Sequence, residues 1–265
     1  MTRALPVTGA LALGFIASLN FAPVRLPGML LIALVGLFAI LRFTPESITA
    51  RKAALYLSAF ALSFFGVSMW WLNAVSFAAW LALLLIHLAL FAVLGGGLAL
   101  VMPPRWWPLW AASWWTTVEM LRGFAPYGGF PWLRVAHTAL DTPIEGVTRW
   151  ISLNGTSWLI VFLAACILAV IEIRSIRLGA LVAALAIVAS IARISESVDL
   201  IMWPENASDR DLFTDANAGQ LVQQAAQTAQ APILAGTILD GPHNNTAINA
   251  SVPVTPADGP RSDFY

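Results

Sequence analysis

The stretch Val198-Asp199-Leu200-Ile201-Met202-Trp203-Pro204-Glu205 joins two different kinds of sequence. Residues 198–202 form a short, mostly apolar run, which predicts a buried β-strand that is too short to span a bilayer. Glu205 follows almost directly, so a carboxylate stands at the end of this strand. About 195 residues that look like membrane helices precede it. The sequence therefore predicts a small domain in water, tethered to a membrane region.

The composition of the whole chain indicates a protein that spans the membrane several times. Hydrophobic residues occupy 59% of the 265 positions, and the mean hydropathy is +0.77. Charged residues make up only 11%, whereas ordinary soluble domains carry roughly 25%. A single soluble domain of this length does not need so much apolar surface. The formal net charge is zero, which gives no argument for a nucleic-acid partner, and we predict none.

Seven apolar segments can be drawn before residue 195. Several have the ~20 residues that a helix needs to cross the hydrocarbon core, but the second and fifth are short. The first follows Arg3, and we interpret it as a retained helix because no small-x-small cleavage site comes after it. The seven segments are residues 5–22, 27–42, 54–73, 78–101, 108–122, 151–171 and 178–194.

Basic residues predict the orientation of these spans. They concentrate at the N-terminus and in alternate loops, whereas the loop at 74–77 has none and the loop at 23–26 has only Arg25. This pattern places the N-terminus in the cytoplasm, and an odd number of spans then leaves the C-terminal region outside. The residues that set the pattern are Arg3, Arg42, Arg51, Lys52, Arg105, Arg174 and Arg177.

The composition changes after residue 195, which predicts a membrane domain at 1–195 and a second domain at 196–265. The second domain is rich in Asp, Asn, Gln, Thr, Pro and Gly. Beyond the strand at 198–202, residues 217–230 are typical of a helix, and 232–238 and 246–254 are typical of strands. The succession of strand, helix and strand indicates a parallel α/β unit.

Glu205 is the candidate catalytic residue. Side chains at the carboxyl ends of parallel strands line the crevice where α/β sheets bind ligands. A partly desolvated carboxylate at that position can accept a proton from a nucleophile. The alternative interpretation is an ordinary loop acid near the start of a helix.

Two other reactive side chains are interpreted as structural. Cys166 is the only cysteine and lies inside an apolar segment, so we expect a small buried hydrophobic residue rather than a reactive thiol. It allows no intrachain disulfide and suggests no metal cluster. Lys52, the only lysine, lies in a predicted cytoplasmic loop, where it sets topology. Neither residue can reach an extracytoplasmic Glu205, and we predict neither a cofactor nor a metal ion.

Charged and aromatic residues gather near the end of the fifth segment. Glu119 and Arg122 are three positions apart, so they can pair on a helix, either for function or to fix the depth of the helix in the membrane. We interpret His87 as a satisfied histidine of the bundle rather than a proton relay. The glycine-rich and aromatic stretch 123–133 is typical of an interfacial loop, which is either a membrane anchor or part of a lipid-facing entrance.

The same region carries a resemblance to a known family. The block Glu119-Met-Leu-Arg-Gly123, followed by Gly129-Phe-Pro-Trp-Leu133, resembles the Glu-x-Leu-Arg-Gly and Gly-Phe-Pro-Trp signature of bacterial apolipoprotein N-acyltransferases. These are membrane enzymes with a nitrilase-like domain.

Two further blocks extend the resemblance over most of the chain. One is Asp199-Leu-Ile-Met-Trp-Pro-Glu-Asn-Ala207, and the other is Pro232-Ile-Leu-Ala-Gly-Thr237 with Asn249-Ala-Ser251 and Tyr265. Their order, and the seven spans before them, also fit the family. The resemblance therefore implies about seven spans followed by a partial, extracytoplasmic nitrilase-like α/β domain.

The resemblance also implies an activity and a location. The family acts at the outer face of the bacterial inner membrane and transfers an acyl chain in two steps. A phospholipid first acylates an enzyme cysteine, and the α-amino group of a diacylglyceryl lipoprotein then takes the acyl chain. A glutamate activates the thiol, and a lysine stabilises the oxyanion. Glu205 matches that glutamate.

The sequence departs from the family pattern in two places. The family's lysine follows a tyrosine like Tyr265 by two positions and its cysteine comes later, whereas this sequence has 265 residues. Family members also have a strand and a helix where Ile194-Ser-Glu-Ser-Val198 joins the last span to the strand almost directly. We therefore expect a shortened chain or a fragment that is inactive alone.

Three alternatives differ in class. The first is a non-catalytic membrane scaffold that presents a partial domain to a partner. The second is a transporter or channel, against which the sparse charge within the spans argues, since His87 is the only ionisable residue clearly inside one. The third is a soluble amidase fused to a membrane region, which would lack the same nucleophile.

Overall fold

The computed structural model describes residues 4–44, 48–103, 106–126, 128–142, 144–173, 199–203, 207–208, 210–241, 243 and 246–262. The chain divides into two compact units, Met1–Ile194 and Ser195–Tyr265, called the helical unit and the sheet unit below. The predicted seventh segment, 178–194, lies outside the described residues, and so do Arg3, Arg105, Arg174 and Arg177.

The helical unit contains six described α-helices, which overlap the first six apolar segments, although the third helix spans Ala50–Ser68 and not 54–73. Short 3-10 helices follow the third helix, at Trp70–Ala74, and the fifth, at Val135–Ala139. The α-helices are α1 (Ala4–Ser18), α2 (Met29–Phe43), α3 (Ala50–Ser68), α4 (Phe77–Val101), α5 (Trp107–Arg122) and α6 (Val147–Ile173).

Local sequence explains where several of these helices begin and break. Thr49 caps α3 by accepting a hydrogen bond from the backbone N–H of Lys52. Pro108 stands in the first turn of α5, where its missing N–H costs no helical hydrogen bond. Ser152 interrupts α6 with a left-handed φ of 61°, so this element begins before the predicted segment at 151–171 and contains a break.

Two of the described helices, α4 and α6, are long and apolar enough to cross a membrane. The apolar helices α1 and α2 are shorter. The interior of the unit is made of aliphatic and aromatic side chains, and its largest fully buried members include Phe38, Phe60, Phe65, Leu37 and Leu57.

The ends of the helices fall into two groups. Nη1 of Arg42, at the end of α2, donates a hydrogen bond to the carbonyl of Met102 just after α4, at 2.7 Å, and its guanidinium pairs with Glu172 near the end of α6. In the other group, Trp71 follows α3 and stacks on Trp132, which follows α5, with ring centroids 5.2 Å apart. Successive helices therefore run in opposite directions.

The sheet unit is a small mixed sheet packed against one helix. Its elements are β1 (Ile201–Met202), α7 (Ala216–Ala229), β2 (Ile233–Asp240), β3 (Ala247–Thr255) and β4 (Gly259–Pro260), and the strand order follows the sequence. Strands β1 and β2 are parallel and are connected through α7, as the sequence indicates. Strand β3 is antiparallel to β2 because the short link between them cannot make a parallel crossover.

Candidate functional site

Glu205 lies outside the described residues, but residues on both sides of it are anchored to β2. The backbone N–H of Trp203 donates to the carbonyl of Leu234 at 2.9 Å, and that of Ser208 donates to Gly236 at 3.1 Å. The pairing register shifts by three residues between Met202, opposite Leu234, and Ser208, opposite Thr237. The chain is therefore paired with β2 both at Trp203 and at Ser208. The assignment of Glu205 as a catalytic residue stays a prediction.

The described residues also contain a buried charged cluster, formed by Glu119 and Arg122 in the last two turns of α5. The two side chains are 6% and 3% exposed, and Oε1 of Glu119 lies 3.9 Å from Nη2 of Arg122. The helical spacing therefore brings them together as predicted. Their burial favours a role inside the unit over a role as charges that sit at the membrane surface.

Arg122 binds mainly to the backbone of the chain that follows it. Its Nη1 donates to the carbonyls of Trp132 at 2.6 Å and Phe130 at 3.3 Å, and its Nη2 donates to the carbonyl of Leu133 at 3.4 Å. A guanidinium offers five N–H donors in a fixed plane, which suits several carbonyls at once. Arg122 therefore fixes the path of the loop from 128 to 133.

Glu119 fixes the end of the same loop from the other side. Its Oε1 accepts a hydrogen bond from the backbone N–H of Val135 at 2.8 Å, where the second 3-10 helix begins. Its Oε2 is buried and has no hydrogen-bond partner among the described residues. A cavity of about 20 Å³ adjoins Glu119 and Arg122, which is room for one water molecule.

Two glycines allow the loop to fold back against α5. Gly129 has a φ of 78°, and a Cβ there would come within 2.3 Å of the carbonyl carbon of Gly123. The backbone N–H of Phe130 then donates to the carbonyl of Arg122 at 2.8 Å. The first and second halves of the block 119–133 therefore meet in one buried structure.

His87 joins this cluster from α4 and is fully buried. Its Nε2 lies 3.3 Å from Nη1 of Arg122, and its Nδ1 lies 2.7 Å from the carbonyl of Leu83. Because arginine can only donate, Nε2 must accept, and the ring proton must sit on Nδ1. His87 is therefore a neutral, fully bonded histidine of the bundle, which confirms the prediction.

Aromatic rings continue the cluster toward the surface. The ring of Phe65 lies 4.1 Å from His87, and the ring of Phe130 meets His87 edge-on at 5.7 Å. Phe130 then stacks on Trp132 at 5.5 Å, and Trp132 stacks on Trp71. This aromatic column ties the loop to α3 and α4.

An open cavity of about 190 Å³ lies between α4 and the loop. Its walls are mostly apolar, and the polar groups of His87 and Arg122 stand among them. The other lining residues include Leu83, Ile86, Leu90, Pro126 and Phe130. A site of this kind accommodates an apolar chain with one polar end.

A second layer of polar contacts supports the 3-10 helix at Val135–Ala139. Nη1 of Arg134 donates to Oδ1 of Asn154 at 3.1 Å, and Oγ of Ser157 accepts from the N–H of Ala136 at 3.0 Å. The N–H of Arg134 donates to Nδ1 of His137, so the proton of that ring sits on Nε2. Burial lowers the pKa of His137 below its usual value, which keeps the ring neutral.

The remaining predicted residues are also accounted for. Cys166 is buried in α6 and is a free cysteine, as predicted. Lys52 was predicted to lie in a loop, which is wrong: it lies in the first turn of α3, because Thr49 caps the helix just before it. Within the described ranges, no group of three or more His, Cys, Asp or Glu side chains is placed to hold a metal ion.

Sequence reasoning missed the partners that surround the predicted pair. Asn154 and Ser157 carry no signal of their own, because polar residues within an apolar segment are common. Arg42 and Glu172 could have been paired, since they carry opposite charges at the ends of two predicted spans on the same side.

Comparison with known proteins shows what this chain is similar to. The family model of the apolipoprotein N-acyltransferase N-terminal domain matches residues 13–166, which include α2 to α5 and the whole loop. The apolipoprotein N-acyltransferase of Methylococcus capsulatus is 32% identical over 206 residues, which are 70% of this chain and 38% of that protein.

Two further relatives carry the same description. The apolipoprotein N-acyltransferase of Nitrosomonas europaea is 32% identical over 179 residues, 62% of this chain and 35% of that protein. That of Pasteurella multocida is 25% identical over 224 residues, 79% of this chain and 42% of that protein. The chain spans about two fifths of the length of these relatives.

Proposed function

The chain belongs to the apolipoprotein N-acyltransferase family, and from this premise we propose that it takes part in acyl transfer from a phospholipid to the N-terminal cysteine amine of a diacylglyceryl lipoprotein. The observation that carries the proposal is the family match over 13–166. The buried cluster supports it, because Arg122 and the loop that it binds belong to the matched region. The cavity beside them suits an acyl chain.

Glu205 is proposed as the general base. Its carboxylate takes the proton of a thiol, and the thiolate attacks the ester carbonyl of the phospholipid. The glycerol oxygen leaves with a proton as the lysophospholipid, and a thioester remains. The lipoprotein amine then attacks the thioester, and the carboxylate takes the proton that the amine loses as the amide forms. The carbon–sulfur bond breaks, and the departing thiolate takes that proton from the carboxylic acid, which restores both groups. Cys166 is buried in α6 and is not the thiol of this reaction.

The membrane arrangement is proposed to comprise seven spans, with the sheet unit, as a nitrilase-like domain, on the extracytoplasmic side of the bacterial inner membrane. Six described helices of alternating direction support the first six spans. The seventh, at 178–194, rests on the apolar sequence alone.

Cysteine labelling in intact cells tests this arrangement. In a Cys166→Ser background, a membrane-impermeant maleimide should label Asp258→Cys in intact cells and should label Arg51→Cys only after permeabilisation. Both native side chains are exposed, so accessibility depends on the side of the membrane. Labelling of Asp258→Cys only after permeabilisation would reverse the proposed side of the sheet unit.

The function is tested by Glu205→Gln in the protein made from its own gene. Membranes receive an alkyne-labelled phospholipid and a diacylglyceryl lipopeptide, and mass spectrometry measures acylation of the peptide amine. Loss of a general base should lower the rate by about 100-fold or more. Asp258→Asn removes a carboxylate from an exposed turn of the same unit and should leave the rate unchanged.

The same experiment separates the enzyme from a scaffold. If Glu205→Gln transfers acyl chains as fast as the unmodified protein, Glu205 is not the base. If the gene is required for lipoprotein acylation in cells while Glu205→Gln remains fully effective there, the protein acts by presenting a surface to a partner.

A further inference from the structure

We propose that a single resident water molecule links the carboxylate of Glu119 to the guanidinium of Arg122 and completes their buried pair. The site is the cavity of about 20 Å³ that both side chains line, called the inner cavity below. It is separate from the open cavity beside α4, with which it shares only Arg122. Such a water helps to hold the loop against α5, whether or not the protein transfers acyl chains.

Glu119 has a buried oxygen that its neighbours leave unsatisfied. The side chain is 6% exposed, and its Oε1 accepts from the backbone N–H of Val135 at 2.8 Å. Its Oε2 has no hydrogen-bond partner among the described residues. A carboxylate can accept about four hydrogen bonds, and an oxygen left without any of them inside a protein is costly. Oε2 therefore requires a donor that the side chains and backbone around it do not provide.

Arg122 is close to Glu119 but does not bond to it directly. Its Nη2 lies 3.9 Å from Oε1 of Glu119, whereas hydrogen bonds between nitrogen and oxygen are about 2.7–3.2 Å long. Polar groups separated by more than about 3.5 Å are commonly bridged by a water molecule. Nη2 carries two N–H groups, and the carbonyl of Leu133 accepts from this nitrogen at 3.4 Å. The described residues offer no second acceptor, so one N–H can donate to a water.

The inner cavity has the size and the polar groups that one buried water needs. A cavity must offer about 10–15 Å³ to hold a water molecule, and this one offers about 20 Å³, which admits no larger ligand. Leu133 also lines it, and the carbonyl of that residue keeps a second lone pair. The water thus has three partners, which are Oε2, Nη2 and this carbonyl, and buried waters typically make about three hydrogen bonds.

Thr116 shows that an unsatisfied oxygen alone does not define such a site. Its hydroxyl, one turn before Glu119 on α5, is also buried without a hydrogen-bond partner among the described residues. Thr116 does not line the inner cavity, however. At Glu119 an unsatisfied oxygen, a nearby donor and the volume of one water occur together. We therefore assign the water to Glu119 and none to Thr116.

Radiolytic labelling of the purified full-length protein in lipid nanodiscs detects a buried water through the side chains beside it. A short X-ray pulse splits water into hydroxyl radicals, which oxidise the nearest side chains, and mass spectrometry locates the added oxygen. Trp115 lines the inner cavity and is 3% exposed, whereas Trp107 on the same helix is 4% exposed and does not line it. We expect about threefold or more oxidation at Trp115 than at Trp107, because only Trp115 adjoins the water.

Substitutions of Val118, which lines the inner cavity, test whether the labelling depends on its volume. Val118→Ile adds one methylene to the wall and should displace the water, which lowers the oxidation of Trp115 to the level of Trp107. Val118→Ala enlarges the cavity and should preserve or raise the oxidation of Trp115. The matched control, Val161→Ile, adds the same group at a fully buried valine that does not line the cavity and should change nothing. Thr116→Val removes the other unsatisfied oxygen and should also change nothing.

A high-resolution crystal structure of the protein gives the direct test. We expect a density peak within about 2.7–3.2 Å of both Oε2 of Glu119 and Nη2 of Arg122. A direct contact of that length between the two atoms, without the peak, would overturn the proposal, because the pair then completes itself. Equal oxidation of Trp115 and Trp107 would also overturn it, and so would equal losses of Trp115 oxidation in Val118→Ile and Val118→Ala. The assay of Glu205→Gln decides the proposed function independently of these results.

Discussion

The helical unit contains two arginine–glutamate pairs that have different structural roles. Arg42 and Glu172 are 22% and 29% exposed, and they join the ends of α2 and α6 directly. Arg122 and Glu119 are almost fully buried and only 3.9 Å apart at their nearest charged atoms. The exposed pair is a true ion pair, whereas the side chains of the buried pair make most of their hydrogen bonds with backbone groups of the loop.

The difference shows what a buried charge is for in this fold. A partly exposed ion pair contributes little to the free energy of unfolding, because water and salt screen the attraction between its charges. A buried pair is costly to desolvate unless other groups satisfy it. Here the backbone of residues 130–135 supplies those groups, so the charges and the loop depend on each other. The substitutions below test that dependence, in order of decreasing effect.

Arg122→Met should destabilise the helical unit the most. It leaves Glu119 buried without a cation and deprives three carbonyls of their donor, which should cost about 3 kcal/mol or more. Thermal unfolding can be followed by a thiol-reactive dye on Cys166, the single buried cysteine. The control, Arg42→Met, makes the same replacement in the exposed pair and should cost about 1 kcal/mol. Equal losses would contradict the comparison.

Gly129→Ala tests whether the loop needs its close approach to α5. The added Cβ would collide with the backbone of Gly123 and would adopt a left-handed φ, which together should cost about 2 kcal/mol. Gly128→Ala is the matched control: Gly128 has a φ of 89° but nothing within 4 Å of the added atom. The difference in unfolding temperature between the two variants measures the contact alone, and no difference would mean that the loop can shift.

Glu172→Gln should have a smaller effect that depends on salt. Its ion pair with Arg42 is partly in water, so its loss should cost about 0.5 kcal/mol at low ionic strength and less in 1 M salt. In the buried pair, Glu119→Gln keeps an oxygen that can accept from Val135 but removes the charge beside Arg122, and its cost should not change with salt. Unfolding temperatures at two salt concentrations distinguish the pairs.

Asp211 in the sheet unit binds backbone N–H groups as Glu119 does, but near the surface. Burial is the largest single influence on its pKa and raises it, yet the hydrogen bonds from the N–H groups of Asp240, Phe213 and Thr214 together outweigh burial and lower the pKa below the usual value. A lowered pKa in the folded state means that this contribution to stability is present above the unfolded pKa of about 3.9 and is lost as the pH falls further.

Hydrogen exchange at the Asp240 amide measures this small effect. In the unmodified protein, the protection of this amide, corrected for the intrinsic exchange rate, should decrease when the pH is lowered below about 4. The reason is that the carboxylate that accepts this N–H becomes protonated. Asp211→Asn should abolish that pH dependence, and Asp258→Asn should preserve it. A pH dependence that persists in Asp211→Asn would assign it to another group.

The sequence predicts much of the helical unit because apolar periodicity and length are local properties. The spacing of Glu119 and Arg122 likewise fixes their proximity once α5 is a helix. The carbonyl partners of Arg122 are not predictable in this way. They depend on how the loop folds back against α5, and this fold requires Gly129 to lie against the backbone of Gly123. Local sequence patterns do not reveal a contact of this kind.

The same distinction applies to the sheet unit. Alternating apolar residues and the capped helix α7 locate its elements, and Asp215 accepts from the N–H groups of Asn217 and Ala218 as an N-cap should. The antiparallel β3, by contrast, is decided by the short link after β2 and by cross-strand packing. The assignment of Glu205 rests on its position after a strand and on a family resemblance, and it remains a prediction.

The stack of Trp71 on Trp132 gives the molecule an optical signal of its own. Two indole rings with centroids 5.2 Å apart and planes inclined by 26° couple their electronic transitions. One ring follows α3, and the other sits on the loop that Arg122 holds. The near-ultraviolet circular dichroism of the protein therefore contains a contribution from this pair, and loss of that contribution reports, without any attached label, that the loop has moved.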